Sequence, residues 1–290
     1  MIAAIIVSTL ATGGVYALLA SGLSLIFGVA HIVNLAHTAF YMVAAYFLWF
    51  FAQQLGLNPV ASVAITISGV TLLGLLSYQF LLNRVRQHPQ ALLLITIALA
   101  MVFQEILVLL FGSHFHTSPA LIDGSTQILG ITVTYQRLLL LGAVVVIMVG
   151  LWLFLSKTKL GTAIRATAND AEIANLMGIS VPRTLLVTMG IGTALAAVAS
   201  VLIASVWVFH PFAWVNPLTM VLAIVVLGGL GSLKGSIIGA FIIALAETLV
   251  VFLLPEQGYM KMALALLAMI IVLAVRPGGL FGIVFEEERL

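Results

Sequence analysis

The sequence predicts an all-α, polytopic integral membrane protein of about 8–10 transmembrane or half-spanning helices. Three observations carry that prediction. Hydrophobic residues make up 63% of the 290, and charged residues only 7%. A soluble domain carries about 25% charged residues, so this chain cannot clothe a water-facing surface. The apolar residues are also gathered into nine runs, at roughly 2–27, 32–52, 60–82, 91–112, 136–155, 184–206, 218–230, 236–254 and 262–275. Finally, the runs do not alternate with a period of two. Lipid admits only helices and closed barrels, and this pattern selects helices.

The elements follow in order. Met1–Ala30 contains no Lys or Arg. It therefore lacks the basic start of a secretory signal and is read as a retained first helix. The run at 32–52 is taken as a separate span, although a broken or re-entrant segment near 28–37 would change the parity. Leu57-Asn58-Pro59 ends one connection, and Asn83–Gln90 (NRVRQHPQ) forms the next. Pro119, Asp123 and Gly124 lie in a polar loop at about 113–135, and Pro211 and Pro217 bracket PFAWVNP. A turn is expected at Pro255-Glu256-Gln257-Gly258. The runs at 218–230 and 262–275 are short enough to be half-helices or re-entrant segments.

Lys and Arg set the expected orientation. With 83–90, 156–183, 231–236 and the C-terminus in the cytoplasm, that side holds Arg84, Arg86, Lys157, Lys159, Arg165, Arg183, Lys234, Arg276 and Arg289. Only Arg137 and Lys261 fall on the other side, and helix parity puts the N-terminus there too. Trp49, Trp152, Trp207 and Trp214 all lie near helix ends, where aromatic belts form. Residues 14–47 and 218–249 share a glycine-interrupted apolar run followed by a Gly- or Ala-rich helix. That similarity reflects either an internal duplication or the general abundance of Gly and Ala in membrane helices.

Several functions are excluded. A net charge of +2 does not suit a nucleic-acid binder, and with no cysteine there is neither disulfide framework nor thiolate metal site. No Gly-x-x-x-x-Gly-Lys-Ser/Thr loop, Ser-His-Asp set or His-Glu-x-x-His motif occurs. No cofactor is expected, and any ATP would be hydrolysed elsewhere. His114 and His116 lie two apart in a loop without clustered carboxylates, a weak metal-binding pattern.

The longest charged stretch is the loop 156–183, SKTKLGTAIRATANDAEIANLMGISVPR. Thr167–Met177 is expected to form a short helix, with Asn169 or Asp170 as N-cap and Gly178 as stop. Asp170 and Glu172 would sit near its positive end, and Leu176, Met177 and Ile179 would give it an apolar side. Such a helix either docks a cytoplasmic partner or rests on the membrane. Within the apolar runs, Glu105 and Glu247 are costly unless they face protein or a water-filled cavity. They either line a solute path or brace helices, with Gln104 and Thr248 nearby. Asn34 and His37, three apart, either line the path or brace a broken helix, or else form an interhelical hydrogen-bond pair. The glycines of Val226–Ala240, among them Gly228, Gly229 and Gly231, allow close backbone packing or line a solute contact.

Four segments, in order along nearly the whole chain, resemble the branched-chain amino acid ABC-transporter permease family. The loop does so through Gly161, Ile164, Arg165, Ala166, Asp170, Glu172, Ala174, Leu176, Gly178 and Ile179. The N-terminal segment does so through Gly22, Leu25, Phe27, Gly28, Asn34, Ala36, His37, Ala45 and Tyr46. VLGGLGSLKGSIIGA at 226–240 and RPGGLFG at 276–282 complete the set. Three positions depart from it: His31 replaces a basic residue, and Thr38 and Ala44 replace glycines. The resemblance implies a non-catalytic permease domain over 1–290, of the shorter of the two permease types that pair. It implies translocation of branched-chain or related amino acids, urea or another small polar solute across the bacterial cytoplasmic membrane. It also implies a second permease subunit, cytoplasmic ATPase subunits and an extracytoplasmic solute-binding protein. Gly161, Arg165, Asp170, Glu172, Ala174 and Gly178 would couple the loop to the ATPase. Asn34, His37, Glu105, Gly228, Gly229 and Gly231 would lie on the substrate path. The alternative is an ion-coupled carrier using Glu105 and Glu247.

Overall fold

The computed structural model describes residues 2–128, 131–253 and 260–281. Every apolar run forms a helix there. The helices are α1 (Ile2–Ala30), α2 (His37–Trp49), α3 (Pro59–Val85) and α4 (Pro89–Phe111), then α5 (Tyr135–Lys157), α6 (Lys159–Asn169) and α7 (Ala171–Leu176). They continue as α8 (Val181–Ile203), α9 (Val215–Gly228), α10 (Leu233–Leu253) and α11 (Lys261–Val275). A wide π-type turn, Phe50–Gln54, extends α2, and another at Tyr78–Leu82 interrupts α3. Among the described residues, six helices (α1, α3, α4, α5, α8 and α10) are long and apolar enough to cross a membrane. The two short runs give short helices, α9 and α11. Pro255–Gly258 and 282–290 lie outside the described residues.

Local chemistry sets the helix ends. Asn58 caps α3 by accepting from the Val60 amide at 2.9 Å, and Pro59 follows as a first-turn residue that needs no donor. Gly112 closes α4 at φ +74°, a conformation that glycine adopts without a Cβ clash. The polar loop after α4 holds one element that the run pattern does not reveal. Strands β1 (Ser125–Ile128) and β2 (Ile131–Thr134) pair antiparallel, Ser125 opposite Thr134. Four-residue strands are too short for alternation to register against a polar background.

α1 and α8 form the centre, with α10 and α2 packed against them; most of the lower half of α1 is buried. Apolar side chains of α3, α4 and α5, among them Val60, Leu94, Leu109 and Val146, point outward. In water such a surface would be unstable. In lipid it is the expected exterior.

The connection between α1 and α2 is non-helical and buried, with Ile32, Asn34 and Ala36 all within the core. His31 turns the chain at φ +52°. His37, the first residue of α2, then meets Leu19 of α1, eleven residues back from Ala30. At 1.5 Å per residue that is about 16 Å from the end of α1. The chain thus turns at the end of α1, climbs back extended to mid-helix depth and only there begins α2. The chain is broken at 31–36, at the junction of two runs read from the sequence as separate spans. Because α2 carries on in the return direction, parity is kept.

The ends of the helices sort onto two faces. At one face the α1 terminus touches the α9–α10 turn through Gly28 and Gly231. The Leu280 and Phe281 amides there donate to the carbonyls of Leu227 and Gly228 at 2.9 and 3.0 Å. Helix α6 packs on α1, α5 and α8 at the same end. Gly74 and Leu75 of α3 meet Thr193 and Gly190 of α8, so the two run antiparallel and α3 ends where α8 begins. Arg84, Arg86, Lys157, Lys159, Arg165, Arg183, Lys234 and Arg276 consequently share this basic face, while Arg137 and Lys261 open α5 and α11 on the opposite one.

Candidate functional site

Most of the sequence-predicted residues fall in three places and a glycine-rich segment, with Glu105 apart from them. The first is the buried start of α2. His37 Nε2 donates to the Leu19 carbonyl at 3.0 Å, which places a hydrogen on that nitrogen. Its ring occupies the notch that Gly22 leaves on α1: a Cβ there would lie 2.9 Å from His37 Cε1. Asn34 Oδ1 accepts from the Ala36 amide at 3.1 Å and so shapes the entry to α2. His37 thereby ties the start of α2 to α1, and Asn34 makes a local contact in the turn before it. Asn34 Nδ2, His37 Nδ1 and Thr38 Oγ1 have no hydrogen-bond partner among the described residues.

The second place is the 156–183 loop, which is two helices rather than one. Thr158 caps α6 by accepting from the Gly161 amide at 2.9 Å. Gly161 lies so close to the backbone of Phe154 and Leu155 that any Cβ would collide. The expected helix over Thr167–Met177 divides at Asp170, since Thr167–Asn169 belong to the end of α6. Asp170 caps α7 through the Ile173 amide at 2.8 Å, as its position predicts. Gly178 stops α7 at φ +83°. Ala174 faces inward, and Glu172 and Arg165 are exposed, with the Arg165 guanidinium reaching Thr162 Oγ1 at 3.5 Å. The apolar side of α7 differs from expectation by including Ile173. Ile173, Leu176 and Met177 stand 56%, 81% and 79% exposed on a segment outside the long apolar helices.

The glycine-rich segment lies against the end of α1 and shares a cavity with α6. Gly229 and Gly231 take φ of +101° and +81°. Gly228 lies directly on Gly235, Gly231 on Gly28, and Gly279 on Gly229. Three of the four quoted motif segments thus meet backbone to backbone at the basic face. These glycines pack closely, and Gly228 and Gly229 line none of three cavities of about 630, 340 and 210 Å³. Gly231 does line one, of about 340 Å³, with Gly28, Ser24, Trp152, Arg165 and Lys234.

The third place is a cavity of about 630 Å³ at the opposite face. Glu247 of α10 lies in its wall. Its Oε2 accepts from the Tyr16 hydroxyl at 2.8 Å, and its Oε1 is 3.6 Å from Lys261 Nζ. Tyr41, Trp207 and Met220 complete the lining that matters here, with Trp207 edge-on to Tyr16 at 6.3 Å between ring centres. Glu247 therefore pairs with Tyr16 and Lys261 rather than Thr248. Glu105 is elsewhere: it sits exposed on α4, accepting from Gln104 Nε2 at 3.0 Å, while Gln104 Oε1 accepts from Trp214 Nε1 at 2.8 Å. The structure does not bring the two acids together. Sequence reasoning missed Tyr16 and Lys261 as site residues. Lys261 did carry a signal, as one of only two basic residues assigned to the minority face.

His116 packs its ring against Trp49 and Tyr46, at 4.3 and 5.6 Å between centres, and exchanges backbone hydrogen bonds with Phe209. No group of three His, Asp, Glu or Cys side chains placed to hold a metal occurs among the described residues.

Comparison with known proteins agrees with this architecture. Residues 5–273 match the family described as the permease component of branched-chain amino acid transport systems. The high-affinity branched-chain amino acid transport permease BraD of Pseudomonas aeruginosa is 28% identical, over 96% of this chain and 94% of its own. The permease LivH of Escherichia coli K12 is also 28% identical, over 93% of this chain and 92% of its own. Among solved structures, PsaBC from Streptococcus pneumoniae shares the fold, with a TM-score of 0.55 at 17% identity over 94% of this chain and 95% of that one. The chain is a multi-pass membrane protein, and it belongs to the family of permease components of branched-chain amino acid transport systems.

Proposed function

We propose that this chain is the membrane subunit of an ATP-driven importer of branched-chain or related aliphatic amino acids, working in the cytoplasmic membrane. The observation that carries the reading is the exposed apolar ridge of Ile173, Leu176 and Met177 on α7. α7 is capped at both ends by Asp170 and Gly178 and rests through Ala174 against α8. A rigid apolar ridge in water is unstable unless something covers it. The sequence holds no nucleotide-binding loop. A separate cytoplasmic ATPase subunit docked on α7 answers both facts. Gly161, Arg165, Asp170, Glu172, Ala174 and Gly178 shape the docking loop. α6 relays its movement to the glycine junction, because it touches both α7 and the end of α1. A second permease subunit completes the passage, and an extracytoplasmic binding protein delivers the solute to the opposite face.

An ion-coupled carrier would need Glu105 and Glu247 on one path. Glu105 instead points outward from α4. The test is reconstitution with the ATPase subunits and binding protein. ATP-dependent uptake of leucine is expected, and replacing Ile173, Leu176 and Met177 by Ser should strip the ATPase from the purified complex. Uptake driven by a proton or sodium gradient without ATP would overturn the reading.

A further inference from the structure

We infer that the opposite-face cavity is an α-amino-acid site within this subunit, with Glu247 holding the ammonium group and Lys261 the carboxylate. The inference rests on the importer reading and adds to it the residues that recognise the solute. Glu247 and Lys261 are an acid and a base on one largely apolar wall, and their separation of 3.6 Å is too long for a hydrogen bond. Their burial differs: the Glu247 side chain is 13% exposed and that of Lys261 45%. The Tyr16 hydroxyl fixes one oxygen of Glu247 and leaves the other facing the cavity. An acid that only braced α10 to α1 would be satisfied by Tyr16. The second oxygen faces the half-exposed ammonium of Lys261 across a gap wider than a hydrogen bond, and a ligand can enter between them.

A zwitterion suits this pair better than any singly charged solute. When it enters between them, the ammonium meets Glu247 and the carboxylate meets Lys261, so every charge keeps a partner. An amine would leave Lys261 without its acid, and a carboxylic acid would leave Glu247 without its base. An unpaired charge on a poorly solvated wall is costly. The cavity volume of about 630 Å³ lies in the range of small-ligand pockets, about 300–1,000 Å³. Beside the pair an adjoining cavity of about 210 Å³ is walled by Leu140, Ile203, Val206 and Val251. This receives an aliphatic side chain. Arg137 also lines it, so the two basic residues of this face converge on one place.

The test exploits the absence of cysteine from the chain. Asn216 lines the large cavity and is exposed. An Asn216→Cys variant, assembled with its partner subunits in nanodiscs, is labelled with a membrane-impermeant maleimide. Leucine is expected to slow labelling, whereas 3-methylbutylamine, which lacks the carboxylate, and 4-methylpentanoate, which lacks the ammonium, are not. Adding Glu247→Gln keeps an acceptor for Tyr16 but removes the charge. It should raise the leucine concentration for half-protection by about tenfold or more, the worth of a charge-assisted hydrogen bond. Lys261→Met should do the same from a side chain that is half exposed and so places little demand on folding. Equal protection by all three compounds, no protection, or protection unchanged in both charge variants would overturn the inference. ATP-dependent leucine uptake measured on the same complex separates the two claims. Uptake without protection removes the site and leaves the importer; no uptake removes both.

Discussion

Gly28 and Gly231 touch backbone to backbone: a Cβ on Gly28 would lie 3.1 Å from the Gly231 carbonyl oxygen, and one on Gly231 would lie 3.1 Å from Gly28 Cα. This contact joins the end of α1 to the α9–α10 turn, the two places where the long helices are interrupted on the basic face. Gly231 also has φ of +81°. Gly231→Ala should therefore destabilise the protein by about 1–3 kcal/mol, through both the close approach and the left-handed backbone. Gly142→Ala and Gly150→Ala are the controls, since both lie within α5 with open space where the Cβ would go. They should be neutral or slightly stabilising. Thermal unfolding in detergent, followed by size-exclusion chromatography, measures all three.

Gly178 presents a different case. Its φ is +83°, yet a Cβ there would meet nothing within 4 Å. Substitution should strain this exposed turn locally, without a clash, and so leave the chain inserted while altering whatever docks on α7. Gly178→Asn, which tolerates the left-handed conformation, should retain the ATPase subunit; Gly178→Val and Gly178→Asp should lose it and abolish solute-stimulated ATP hydrolysis. Subunit stoichiometry after purification, read beside ATPase activity, decides the matter. Normal values for Gly178→Val would remove α7 as the docking element.

Stability at the opposite face should depend on pH through His116. Burial pushes its imidazole below the usual 6.5, the neighbouring His114 adds to the effect, and the Phe111 carbonyl offsets part of it. The folded protein therefore holds the neutral ring more firmly than the unfolded chain does. The stabilisation is full above pH 6.5 and is lost as pH falls through the lowered folded value. His116→Phe keeps a ring against Tyr46 and Trp49 and removes the titration. Unfolding temperatures of wild type and variant should agree most closely above pH 6.5 and diverge as pH falls below it, because the acid-side loss seen in wild type should shrink in His116→Phe.

Sidedness can be read with single cysteines in this naturally cysteine-free chain. Gln87 and Asn169 are exposed on the basic face, and Asp123 is exposed in the connection on the other. In intact cells an impermeant thiol reagent should label Asp123→Cys and spare Gln87→Cys and Asn169→Cys. The reverse pattern would invert the orientation and move α7 away from any cytoplasmic ATPase.

Much of the fold was legible in one dimension. Run length marks a helix that crosses lipid, and all nine runs became helices, the two short ones included. The Asp170 cap and the Gly178 stop were legible for the same reason, because a cap involves atoms only a few residues apart. The β1–β2 hairpin and the division of the loop at Asp170 were not, since four-residue strands and a single extended residue leave no periodic trace.

The sequence by itself therefore determined which segments enter the membrane, which face carries the positive charge, and where α7 stops. Tertiary structure alone decided what the polar residues inside those segments do. Glu105 and Glu247 look alike along the chain, yet one points outward from α4 and the other meets a tyrosine 231 residues away. His37 opens its helix at mid-depth because Gly22 leaves room for its ring against the Leu19 carbonyl. The physical reason is that hydrophobicity fixes a helix along its length but scarcely about its axis. With lipid as apolar as the protein interior, the rotation of each helix is set by close packing and by pairing of polar groups, and both depend on partners distant in sequence.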